Sequence, residues 1–240
     1  GIRQNGDPTK DDNNTVADET FVNGKNYWLP DDFLDGLTYK NSDNNGKLVY
    51  RRPHINFWSY QGDEFMLYGD YDIEISLPPV PFPGEWQVRL GYTALATRGT
   101  AQIYFDGVKQ GEPIDERLYL NDEEIMGSNY TPDDDGKYYM SLTYEEKAKD
   151  QKTLKEKGIY RGPRGGYHTN GNTKWEWVGK AQTYRRVISQ LHIDNTKKHT
   201  LRFQSVGGVM GNNNEFMLDY IEFVPQNVYD IPEGKMESDL

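Results

Sequence analysis

The stretch Tyr160-Arg161-Gly162-Pro163-Arg164-Gly165-Gly166-Tyr167-His168, followed by Trp175-Glu176-Trp177, holds the residue types that recognise sugars. Flat aromatic faces meet the apolar side of a pyranose ring, and fixed polar groups take its hydroxyls. Glycines let a backbone come close to a ligand, and arginines reach hydroxyls or carboxylates. Tyr160, Arg161, Arg164, Tyr167, His168, Trp175 and Trp177 are therefore candidate ligand-binding residues. The same tryptophans would also pack one face of a β ribbon against a core, with the Arg/Gly loop solvated. The residues leave both readings open. A second group is Tyr92, Arg98 and Tyr130, with Arg98 on a loop between two strands. An ordinary loop salt bridge is its other reading.

Metal signals are weaker. Asn41, Asp43 and Asn45, with Gly46 next, follow the spacing of a calcium loop, but Arg52 stands where a bidentate Glu belongs. A polar hairpin turn is the expectation there. Asp133-Asp134-Asp135-Gly136 places consecutive carboxylates in different directions, as an exposed loop does. Catalytic signatures are missing: no H-E-x-x-H, G-x-S-x-G, Walker loop or dinucleotide fingerprint occurs. His54, His168, His192 and His199 are scattered along the chain. Two carboxylates at the right distance would suffice for a glycosidase, so the sequence leaves that chemistry open. The expectation is a protein with no catalytic residues and no cofactor.

Strands must position these residues. Ile73, Ile75 and Leu77 alternate with Asp72, Glu74 and Ser76, the period of a half-buried strand. Trp86, Val88, Leu90 and Tyr92 alternate with Gln87, Arg89 and Gly91, and Ala101, Ile103 and Phe105 with Gln102, Tyr104 and Asp106. Asp106-Gly107 closes a tight turn, and the prolines of 78–83 mark a crossing between strands. Leu48–Arg51, Glu64–Tyr68, Val187–Ile193 and Thr200–Val206 add further strands. Phe216–Val224 is apolar on both faces and reads as a strand in the middle of a sheet, with Asp219 interrupting one face. The residues after Phe21 read as an apron of loops. One helix is expected over Thr143–Lys157, with a Thr143/Glu146 capping box, a stop at Gly158 and a narrow apolar stripe that keeps it on the surface.

The domain plan is a linker or tail over 1–20, one β-sandwich over 21–228 with a helical, loop-rich insertion at about 121–184, and a C-terminal tail over 229–240. Eighteen Tyr, 9 Phe and 5 Trp supply a core despite the low apolar fraction. A formal net charge of −11 argues against a nucleic-acid partner, whose phosphates need a basic footprint. The absence of cysteine excludes disulfides, thiolate zinc sites and cysteine nucleophiles. No apolar run reaches the roughly 18–20 residues of a membrane span. The chain starts at Gly1, as a mature product or a trimmed piece would, and its linker-like start hints at a preceding domain.

The pieces Gly69–Leu77, Pro83–Tyr92 and Ile103–Gly107, with the finish Leu218-Asp219-Tyr220-Ile221-Glu222-Phe223, resemble galactose-binding-like jelly rolls. They are similar to carbohydrate-binding modules of the family 6 and 35 type over about half the chain. The whole chain, including Lys155–Pro163, also resembles domains that accompany fasciclin domains in bacterial surface lipoproteins. The resemblance implies an exported, non-catalytic binding module at a cell surface or in the periplasm, lipid-anchored through a removed segment. It would take a glycan as partner and serve carbohydrate binding or adhesion. It places Arg98 near the binding edge and Asp219 near a structural calcium. The insertion at about 121–184 has no counterpart in those modules, and a structural spacer without a small ligand is the competing expectation.

Overall fold

The computed structural model describes residues 3–4, 25–28, 37–41, 47–52, 64–68, 71–94, 98–118, 143–161, 166–168, 175–177, 182–206, 215–232 and 235–237. Their strands pair antiparallel in every sheet, with two helices beside them. One five-stranded sheet runs in the order β1 (Arg3–Gln4), β2 (Lys25–Trp28), β4 (Lys47–Arg52), β5 (Glu64–Tyr68), β15 (Glu215–Leu218). A second runs β3 (Leu37–Asn41), β6 (Tyr71–Leu77), β14 (His199–Ser205), β8 (Thr100–Phe105), β9 (Val108–Asp115). A four-stranded sheet runs β10 (Ile159–Arg161), β13 (Gln182–Ile193), β7 (Gly84–Ala94), β16 (Tyr220–Pro225). A separate ribbon joins β11 (Gly166–His168) to β12 (Trp175–Trp177). The helices are α1 (Tyr144–Glu156) and the short α2 (Gln226–Tyr229).

Alternation explains how the sheets share one core. Ile73 and Leu77 of β6, Ile103 and Phe105 of β8, and Leu201 and Phe203 of β14 are buried together with Trp86, Val88, Leu90 and Tyr92 of β7. Phe216 of β15 joins them, its ring 6.1 Å from Tyr71 and 5.7 Å from Phe203. The opposite side of β6 carries charge: Asp72 takes both Arg202 nitrogens as a forked pair. The Pro78–Pro83 segment carries the chain from β6 in one sheet to β7 in another, as its prolines require. Trp86 anchors the landing, its indole N–H donating to the Phe82 carbonyl at 3.2 Å. Asp106 (φ 48) and Gly107 (φ 77) both take the left-handed conformation of a two-residue hairpin turn. Asp106 Oδ1 accepts from Thr200 N–H at 2.9 Å, and its other oxygen meets His199.

The helix forms as its sequence dictates. Thr143 Oγ1 accepts from Glu146 N–H, Glu146 accepts from Thr143 N–H, and Gly158 (φ 68) ends the turn. Of its side chains Asp150 and Leu154 are buried, so the helix lies on the surface. The insertion is tied to the scaffold, because β10 pairs with β13 and extends the four-stranded sheet.

Three expectations are corrected. Phe216–Val224 is two strands, each at the edge of a different sheet, and β7 is an inner strand of its sheet instead. The chain changes sheets at Asp219, whose N–H donates to Gly91 O at 3.1 Å. Its apolar residues face two ways because each half packs in its own sheet, not because one strand is covered on both sides. Residues 42–46 lie outside the described residues, and the strands on either side do not pair with each other as a hairpin would: β3 pairs with β6, whereas β4 pairs with β2 and β5. The loop apron after Phe21 contains β2, with Tyr27 and Trp28 in register with Tyr50 and Val49.

Candidate functional site

The ribbon collects half of the candidate ligand residues. Gly166 stands opposite Trp177, Tyr167 opposite Glu176, and His168 opposite Trp175. Residues opposite each other in an antiparallel pair sit about 4.5–5.5 Å apart at Cα. The register thus sets the Tyr167-His168 pair beside Trp175–Trp177, which follows it seven residues later in the sequence. Arg164 lies outside the described residues, as do the side chains of Arg161, Tyr167, His168, Trp175 and Trp177.

Tyr160 and Arg161 belong to β10, opposite Arg185 and Tyr184. Tyr160 is 1 % exposed and presents no face to solvent. The Arg89 guanidinium lies 3.7 Å from its ring centroid, a cation–π contact. Arg89 itself is 0 % exposed. Its Nε donates to Gln87 Oε1 at 2.6 Å, and its two terminal nitrogens donate to Glu237 at 3.0 and 2.5 Å. Arg185 donates to the same Glu237 at 3.0 Å, and Glu222 lies 3.8 Å from both arginines. Burial alone would raise the Glu237 carboxyl, but the hydrogen bonds and charge of Arg89, with Arg185, hold it below the usual carboxylate range. Burial raises Glu222, and the more distant arginines do not offset that. Sequence reasoning missed this cluster, because Gln87 and Arg89 occupy the polar side of an alternating strand. The one available signal was an arginine in the middle of a strand whose other face is core. Glu237 falls in the segment expected as a C-terminal tail, and that part of it is packed.

Beside the cluster, residues of α1 together with Tyr229, Ile231, Pro232, Lys235 and Glu237 line a groove of about 430 Å³. Tyr160 and Tyr229 line it between Lys152 and Lys155 on the helix and Lys235 on the other side. Lys155 Nζ donates to the Tyr229 carbonyl at 2.5 Å, which ties the two walls together.

Arg98 is 5 % exposed and pairs with Glu215 at 3.0 Å, its other nitrogen 3.4 Å from Met217 Sδ. It serves the interior. Tyr92 is buried against Tyr184, ring centroids 5.3 Å apart, and Tyr130 lies outside the described residues. Asp219 stands at the passage between β15 and β16. Among the described residues no three His, Asp or Glu side chains gather as a metal-binding group. The carboxylates of 133–135 lie outside the described residues. Among the described residues no helix is long and apolar enough to cross a membrane.

No protein-family model matches the chain, and no curated protein matches it. Among solved structures it is similar to a Paenibacillus xanthan lyase, with a TM-score of 0.37 and 11 % sequence identity. The likeness covers 79 % of this chain and 11 % of the lyase, so the chain spans about a tenth of that protein's length.

Proposed function

We propose that this domain is a non-catalytic carbohydrate-binding module, built on a galactose-binding-like jelly roll and displayed at a bacterial surface. The observation that carries the reading is the register of the ribbon, which sets Tyr167 and His168 against Glu176 and Trp175. Aromatic and polar residues brought together on a short two-stranded element are the composition a pyranose ring needs. No acid/base pair is assigned. Glu222 and Glu237, whose carboxyls are pushed apart in the manner of a catalytic pair, lie against Arg89 and Arg185 and serve the interior.

Affinity electrophoresis against plant and host polysaccharides tests the reading. Retardation is expected on at least one polysaccharide, and Trp175→Ala is expected to weaken it about tenfold or more with the melting temperature unchanged. A competing reading, a spacer domain without a small ligand, draws on the burial of Tyr160 and Arg98. It predicts the reverse: no retardation, and a Trp175→Ala protein that melts earlier.

A further inference from the structure

We propose that the pocket between Phe82 and α2 is a binding site for a cationic amino sugar, a pyranose that carries a free ammonium group. The inference goes beyond the ribbon in both place and ligand, and stands even if the ribbon binds nothing. Register builds the pocket. Trp86 of β7 is opposite Pro225, the last residue of β16, and α2 follows at once, so the proline-rich segment before β7 meets the start of α2. Phe82, Glu85, Pro225, Gln226, Asn227 and Asp230 line a space of about 360 Å³, room for one or two sugar rings. Phe82 is 49 % exposed, an aromatic ring open to solvent. It is also held in place. Pro81 and Pro83 fix the backbone on either side, the Phe82 carbonyl accepts from the Trp86 indole at 3.2 Å, and the two rings lie 4.7 Å apart. A ring fixed in advance loses little freedom when a sugar stacks on it.

The polar lining selects the ligand. Glu85, Gln226, Asn227 and Asp230 are all exposed. The side chains of Gln226, Asn227 and Asp230 make no hydrogen bond to another described residue, and Glu85 meets His192 at 3.1 Å in an exposed pair. Among the described residues that line the pocket there is no lysine or arginine, so a sulfated or uronic sugar would be repelled by Glu85 and Asp230. A neutral pyranose would use the ring and the amides but leave the carboxylates without a cation. A lysine side chain of a peptide would meet the carboxylates and leave the amides idle. An amino sugar uses every group: its carbon face lies on Phe82, its hydroxyls meet Gln226 and Asn227, and its ammonium meets Glu85 and Asp230.

Isothermal titration calorimetry on the full chain at about pH 6, where an amine of this kind is protonated, decides this with four probes: a glucosamine tetrasaccharide, its N-acetylated form, cellotetraose and tetralysine. The glucosamine probe is expected to bind, with the other three at least about tenfold weaker and with affinity falling as salt rises. Glu85→Gln combined with Asp230→Asn is expected to lose about tenfold at an unchanged melting temperature. Glu112→Gln combined with Glu156→Gln removes the same charge from exposed positions outside the pocket and is expected to leave the affinity as it was. Failure of the glucosamine probe to bind at ~1 mM overturns the proposal. So does equal affinity for the acetylated probe or cellotetraose, and equal affinity for tetralysine would assign the pocket to a basic peptide instead. A pocket double variant that binds as the parent does, or equal losses in the two double variants, also overturns it. The Trp175→Ala variant separates the two sites. Binding that survives it and is lost in the pocket variant supports the pocket. Binding that is lost in it and kept in the pocket variant overturns the pocket and gives the ligand to the ribbon.

Discussion

Arg89 is accommodated at 0 % exposure because Gln87 and both oxygens of Glu237 accept from it while the Tyr160 ring covers its face. Removing one partner of such a pair leaves a buried charge uncompensated, so Glu237→Gln should cost about 3 kcal/mol at neutral pH. The pH dependence has a definite sign. Glu237 is depressed in the fold, so its contribution is complete above the unfolded carboxylate value, about 4.3, and is lost as pH falls through its lower folded value. Glu222 is raised and runs the other way: its contribution is complete below the unfolded value and is lost as pH rises through the folded one. Urea unfolding from about pH 3 to about pH 8 checks both. Glu237→Gln should flatten the acid limb, and Glu222→Gln should hold or raise stability at neutral pH. A Glu222→Gln protein as damaged as Glu237→Gln would show that the two carboxylates share the load equally.

Elements were legible where their signal is local. The capping box of α1 and the Asp106-Gly107 turn depend on residues within one turn of each other, and both form as their sequences require. Strand β7 was legible as a strand from its alternation, but the cover over its polar side comes from β10 and from Glu237 far along the chain, which leaves no local signal. Gly91 on that side shows the constraint most directly. It pairs with Tyr220 of β16, and a Cβ at this position would clash with the edge of the Tyr220 ring at Cε1 and Cζ. Gly91→Ala should therefore destabilise the domain by about 2 kcal/mol through overpacking, measured by thermal unfolding. Combining it with Tyr220→Ala should remove most of the additional loss caused by Gly91→Ala. An unchanged melting temperature in the single variant would mean that β16 moves away freely.

At the scale of the molecule, β15 is where the sheets are sewn together. Arg98 forms a parallel bridge with Glu215, Gly99 N–H donates to Glu215 O at 2.5 Å, and Glu116 Oε2 accepts from Met217 N–H at 2.6 Å. The Arg98–Glu215 ion pair closes that seam inside the protein. Arg98→Leu should cost about 3–5 kcal/mol and speed amide exchange in β5 and β15, whereas pairing it with Glu215→Leu should recover most of the loss. A stable Arg98→Leu protein with altered glycan binding would instead return Arg98 to the ligand site. The sequence by itself determined the strands, the capped helix and the turns, because each rests on periodicity or capping among near neighbours. It also brought the aromatic and arginine residues of 160–177 forward as candidates by type alone. Only the tertiary structure decided that Tyr160 and Arg98 are interior, that Phe216–Val224 divides between two sheets, and that Glu237 neutralises Arg89 across 148 residues. Those outcomes depend on which distant surfaces meet, and burial and charge pairing exist only once they have met.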